Sequence, residues 1–142
     1  MDEIKTNDAA RITEDAAGRN RDSVLMDLAM LSVFKQPCLL ATTANVTIAT
    51  ALAVGQTLDG VVITPGIRVL VKNQTDKKQN GIYVVLPTEI IRASDFDTGA
   101  EIAGAFIPVL AGTANAMKLF QCTSISATIG TSDIDIAARA FA

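Results

Sequence analysis

The stretch Pro65–Val85, PGIRVLVKNQTDKKQNGIYVV, decides the fold class. Pro65-Gly66 is a turn pair. After it Ile67, Val69 and Val71 alternate with Arg68, Leu70 and Lys72, the period of a β-strand with one face buried. A polar run from Asn73 to Gln79 follows, and Asn80-Gly81 is a strong turn signal. Ile82–Leu86 is a second β-branched and aromatic run, so the stretch predicts two antiparallel strands joined by a solvated loop. Gly81 would supply the positive φ of the return. This is a prediction of structure and carries no chemistry of its own.

Outward from the hairpin the texture stays β-like. CLLATTA (38–44) and NVTIATALA (45–53) are dense in Thr, Val, Ile and Leu. Gly55 marks a turn, and Asp59-Gly60 marks another before VVI. Ile90-Ile91-Arg92 starts a strand, SDFDTG (94–99) is a loop, and Glu101–Leu110 reads as a strand with irregularities at Gly104 and Pro108. AGTANA (111–116) is a loop, Met117–Ser124 alternates, and Ile134–Ala138 is the last strand. The expectation is a mainly β fold, a small antiparallel β-sandwich or barrel of roughly seven or eight short strands over 38–142.

Upstream the pattern changes. Residues 1–22 are rich in Asp, Glu, Arg, Asn, Ala and Thr and offer almost nothing to bury. They are expected to be an extended arm or marginal helix ordered by a partner, with a flexible terminus as the alternative. Residues 23–37 predict one apolar α-helix, capped at Asp22 or Ser23 and stopped by Pro37. Val24, Leu25, Leu28, Leu31 and Phe34 are the candidate partner and oligomer interface. Apolar groups cover much of that helix, so it needs cover on more than one side. Neighbouring copies, or the domain's own open edge, would provide it.

Composition bounds the function. The chain has 142 residues, 49% hydrophobic but only 4% aromatic, with net charge −3. An acidic chain with interspersed charges carries no footprint for nucleic acid. The longest apolar run, Val24–Phe34, is far shorter than the roughly 20 residues of a bilayer span and is interrupted by Asp27, so no membrane contact is expected. The charged opening MDEIKTNDAA is unlike a secretory signal, which points to synthesis in the cytoplasm.

With no His in the chain, the usual general base and the Ser-His and Cys-His nucleophile pairs are missing, and a zinc site is not expected. Carboxylate chemistry on a sugar is the remaining enzymatic route, with Asp95 and Asp97, or Glu89 and Glu101, as candidates. The expectation is no enzyme, no catalytic residue, no cofactor and no metal. DFDTGAE (95–101) has the alternating acids of part of a calcium loop but not the full spacing, so its aspartates are read as loop caps. Lys72, Lys77 and Lys78 are read as a solvated loop. Cys38 and Cys122 are expected as buried thiols, with a disulfide as the alternative. A glycan-binding surface would need an exposed aromatic. Tyr83 is its candidate, being opposite Ile82 and Val84 on alternation, with Phe96 and Phe106 behind it.

Several blocks together resemble a β module of tailed-bacteriophage virion proteins. They are ATTANVTIA (41–49), QTLDGVVITPGIRVLVKNQTDKKQNGIYVV (56–85), RASDFDTGAEIAGAF (92–106), GTANA (112–116) and the strand ending in Gln121-Cys122-Thr123. The chain differs from the module in having Ile67 where an acid is usual, and Ile91 and Phe120 where Trp is frequent. The resemblance implies a non-enzymatic structural protein in a symmetric assembly, a homotrimer as the expectation. It carries no catalytic or cofactor residue. Because the chain ends where the module ends, the expectation is a small projecting head fibre or capsid decoration protein on the virion surface, made in the host bacterial cytoplasm. Residues 1–36 would attach it to the capsid. A tail- or neck-associated fibre component, or an adsorption module binding a host-surface glycan, is the alternative.

Overall fold

A computed structural model describes residues 33–140. The fold is mainly β, with nine strands in three sheets and two short helices among the described residues. In order they are β1 (Leu40–Ala41), α1 (Ile48–Ala51), β2 (Thr57–Leu58), β3 (Val61–Val62), β4 (Arg68–Val71), β5 (Gly81–Val85), β6 (Ile90–Arg92), α2 (Gly99–Ile102), β7 (Phe106–Val109), β8 (Lys118–Cys122) and β9 (Ile136–Arg139). One sheet has the order β1-β4-β5-β6, a second is the β2-β3 pair, and the third is β7-β8-β9. Only β1 and β4 run parallel within a sheet.

The expected hairpin is β4-β5, with Val69 opposite Tyr83 and Leu70 opposite Ile82. The burial differs from the one-faced strand its alternation suggests. Val69, Leu70 and Val71 are all fully buried. Leu70, Ile82 and Ala41 join Ile107, Val109, Phe120 and Cys122 in one hydrophobic cluster. Leu40, Val69, Val71, Tyr83 and Val85 join Leu52, Leu58 and Ile63 in another. Cross-strand neighbours share a face, and these pairs sort cleanly: the four-stranded sheet is covered on both sides.

The β4-β5 connection is not simply solvated. Gln74 and Asn80 are buried within it. Asn80 Oδ1 accepts from Gln74 N at 3.0 Å, and Asn80 Nδ2 donates to the Ile134 carbonyl at 2.9 Å, tying the loop to the chain before β9. Gly81 has φ of 155°, and a Cβ there would lie 2.5 Å from Arg92 Nη1. That guanidinium is itself held by the Lys78 and Asn80 carbonyls, so glycine is required for close approach as well as for φ.

Two expected strands are helical turns. Within 45–53, Ile48–Ala51 forms α1, because Ile48, Ala51 and Leu52 have the i, i+3, i+4 spacing that puts all three on the second cluster. Within 101–110 only Phe106–Val109 is strand. The part before it is α2, started by a capping box in which Thr98 Oγ accepts from Glu101 N and Glu101 Oε1 accepts from Thr98 N.

The chain from Phe34 to Thr42 spans two sheets. Lys35 N and Cys38 N donate to the Phe106 and Pro108 carbonyls of β7, both at 2.9 Å. Leu39 N and Thr42 N then donate to the Arg68 and Leu70 carbonyls of β4, also at 2.9 Å. The predicted helix over 23–37 therefore does not include Phe34–Pro37. Lys35 N is engaged by β7, the Gln36 carbonyl accepts from Arg68 Nη2 at 3.1 Å, and the parallel bridge Phe34–Phe106 replaces a helical turn. Val33 is helical, and residues 23–32 of that helix and the arm over 1–22 lie outside the described residues.

Candidate functional site

Of the interface residues expected from sequence, Val24, Leu25, Leu28 and Leu31 lie outside the described residues. Phe34 is described. Its ring stacks on Phe106 at 4.9 Å between centroids and 17° between planes, and it stays 44% exposed. A stacked pair with an open face is an apolar surface suited to further packing.

Tyr83 is not an exposed platform. It is 8% exposed, and its hydroxyl donates to the Gln79 carbonyl at 2.6 Å. Alternation correctly puts it on the face opposite Ile82, but α1 and the β2-β3 region supply the cluster covering that face too. Burial pushes its phenol up, and the Arg92 guanidinium, 5.1 Å from the ring centroid, works against that shift. Phe96 is fully buried in the other cluster.

Three of the four carboxylate candidates are engaged by neighbouring groups. Asp95 receives a bidentate pair from Arg68, Nη1 to Oδ1 at 3.0 Å and Nη2 to Oδ2 at 3.1 Å. Glu101 closes the α2 capping box and also accepts from Asp97 N. That backbone hydrogen bond, with one from the Asp97 side chain, holds Glu101 below its ordinary value. Asp97 is raised, chiefly by its hydrogen bond with the Glu101 side chain. Glu89 sits in the β5-β6 turn, where its carbonyl accepts from Leu86 N. Among the described residues no group of three His, Cys, Asp or Glu side chains is arranged to hold a metal ion.

The loop lysines have partners. Lys77 pairs with Asp135 at 3.1 Å, and Lys78 lies 3.7 Å from Asp76 and 4.0 Å from Asp133. Lys72 lies 5.0 Å above the Phe120 ring. Cys38 and Cys122 are both free and buried. Burial pushes the Cys38 thiol up to about 12 despite the neighbouring Arg68 guanidinium. These are inert packing thiols.

The sequence marked Asp59-Gly60 as a turn, as it is between β2 and β3, but not the role of the Asp59 side chain. Asp59 stands at φ 48° in that turn, and its carboxylate accepts from Ala114 N at 2.9 Å and Asn115 N at 3.1 Å, while its carbonyl accepts from Thr113 N. Asn115, buried in that loop, donates in turn to the Ala41 and Thr42 carbonyls. The sequence signal was an Asp before Gly in a two-residue turn, which tolerates the left-handed region. Its partner 55 residues away has no local signature.

Two shallow concavities flank α1. One, of about 500 Å³, is mainly apolar and lies between α1 and the β5-β6 turn. The other, of about 640 Å³, is lined by a mixture of polar and apolar side chains from 45–49 and 74–79 and by Tyr83. Comparison with known proteins finds no matching family model, curated protein or solved structure.

Proposed function

We propose that this chain is a non-enzymatic structural protein of a tailed-phage virion, a small homotrimeric head fibre or decoration protein attached through residues 1–36. One observation carries the reading. The sequence blocks that resemble the virion module hold one another through their own polar side chains. Asp59 of QTLDG caps the GTANA loop, Arg68 of GIRVLVK pairs with Asp95 of RASDFDTG, and Arg92 of that block donates to carbonyls beside NGIY. Residues that stabilise each other in this way explain a shared sequence pattern without any shared chemistry. The first cluster draws on both the four-stranded and the three-stranded sheets, which supports a sandwich as the finer architecture.

The test is physical. Light scattering of the purified chain at micromolar concentration should give a trimer, and the protein should co-sediment with purified capsids. Binding to isolated tails instead would move the attachment to tail or neck. A monomer that binds neither particle sinks the proposal.

A further inference from the structure

The larger concavity beside α1 carries amide side chains whose orientation hydrogen bonds dictate. Val46 N donates to Gln74 Oε1 at 2.9 Å, which fixes that oxygen. Gln74 Nε2 therefore faces the Val46 carbonyl and Gln79 Oε1, both at 2.8 Å. With its oxygen occupied, Gln79 leaves its Nε2 group without a partner among the described residues. Asn45 repeats the pattern: its Oδ1 accepts from Thr75 N at 2.8 Å, leaving Nδ2 outward. Asp76 accepts from Lys78 N through Oδ1, leaving Oδ2 as an acceptor. Thr47, although at an N-cap, makes no side-chain cap bond.

All four line the same opening, with Thr75 beside them, Ile48 as an apolar wall and the buried Tyr83 ring beneath. Its volume of about 640 Å³ falls in the range of roughly 300–1,000 Å³ typical of small-ligand sites. Fixed amide donors beside a carboxylate acceptor match the vicinal hydroxyls of a sugar, each of which both donates and accepts. An apolar wall suits the C–H face of a pyranose. Asp76 is the one charged residue lining the opening, and Lys78 Nζ lies 3.7 Å from its Oδ1, so the site carries no net charge that would call for a charged ligand.

We infer that the groove between residues 45–49 and 74–79 binds a neutral saccharide through Asn45, Thr47, Asp76 and Gln79. The site stands independently of where, or whether, the chain attaches to a particle. Maltotriose, cellotriose and triacetylchitotriose, each at millimolar concentration, are the probes, read on the full chain by the side-chain amide NMR signals of Asn45 and Gln79. At least one should shift both signals. Its affinity, measured by saturation transfer, should fall at least about tenfold in Gln79→Ala and in Thr47→Val, the loss of one or two ligand hydrogen bonds. Thr47→Val removes no internal bond and keeps the test usable if Gln79→Ala does not fold. Silence with all three probes overturns the site, as does binding that both folded variants retain.

Discussion

Asp59 combines two roles that substitution separates. Its side chain caps the Thr113–Asn115 backbone, and its backbone occupies the left-handed region at φ 48°. Asp59→Ala loses the cap and adds the left-handed penalty, so urea unfolding should show a loss of about 2–4 kcal/mol. Asp59→Gly loses the cap only and should recover about 1 kcal/mol of that. Equal losses would refute the division. Tyr83 makes a simpler case. Tyr83→Phe leaves the Gln79 carbonyl without its donor and should cost about 1 kcal/mol in the same assay, while an unchanged midpoint would mean that water replaces the hydroxyl.

The hairpin shows how far sequence reading reaches for an element. Strand identity and antiparallel direction were legible from alternation, but the turn expected at Asn80-Gly81 is absent. Gly81 already pairs with Val71 in β5, and the connection turns at Lys77–Gln79. The covering of both faces was not, because an alternating run of Arg, Val, Leu, Val and Lys reports only the ends of the strand as polar. What covers the second face is α1 and the β2-β3 region, and α1 hides in a β-branched string whose i, i+3, i+4 pattern is one turn long. Thr98-x-x-Glu101 was a legible helix start that the surrounding β-type composition outweighed. The groove beside α1 was illegible for another reason: Asn45 is oriented by Thr75, 30 residues away, and Gln79 by Gln74, whose own amide is fixed by Val46 across the fold. Covering on both faces has a direct test. Leu70→Ala should cost about 2–5 kcal/mol, and Val69→Ala, on the opposite face, about 1–3 kcal/mol. A neutral result at either position would mean that one face is open.

For the whole molecule, the raised groups and one lowered group oppose each other at the alkaline end. Burial lowers Lys72, so its contribution grows as pH rises, while the raised groups lose theirs. The Cys38 thiol is raised from 9.0 to about 12 in the folded chain. An unfolded chain therefore releases that proton first, so the contribution is complete below about pH 9 and drains as pH rises towards 12. Tyr83, also raised by burial, and Lys77, raised by its bond with Asp135, have the same sign. The Cys38 contribution should decline above pH 9 by at most about 1.4 kcal/mol per pH unit. Denaturant midpoints of Cys38→Ala should fall less steeply over that interval, and parallel slopes would contradict the assignment. The segment Phe34–Thr42, bonded first to β7 and then to β4, also has a mechanical meaning. A pull on residue 33 along this segment loads its bonds to two sheets together, in shear, instead of opening them one at a time. Under tension the N-terminal side should behave as a tether that yields only with the core, and single-molecule pulling from that end should show one high-force rupture. An early low-force release of Phe34–Thr42 would show that the two sheets do not share the load.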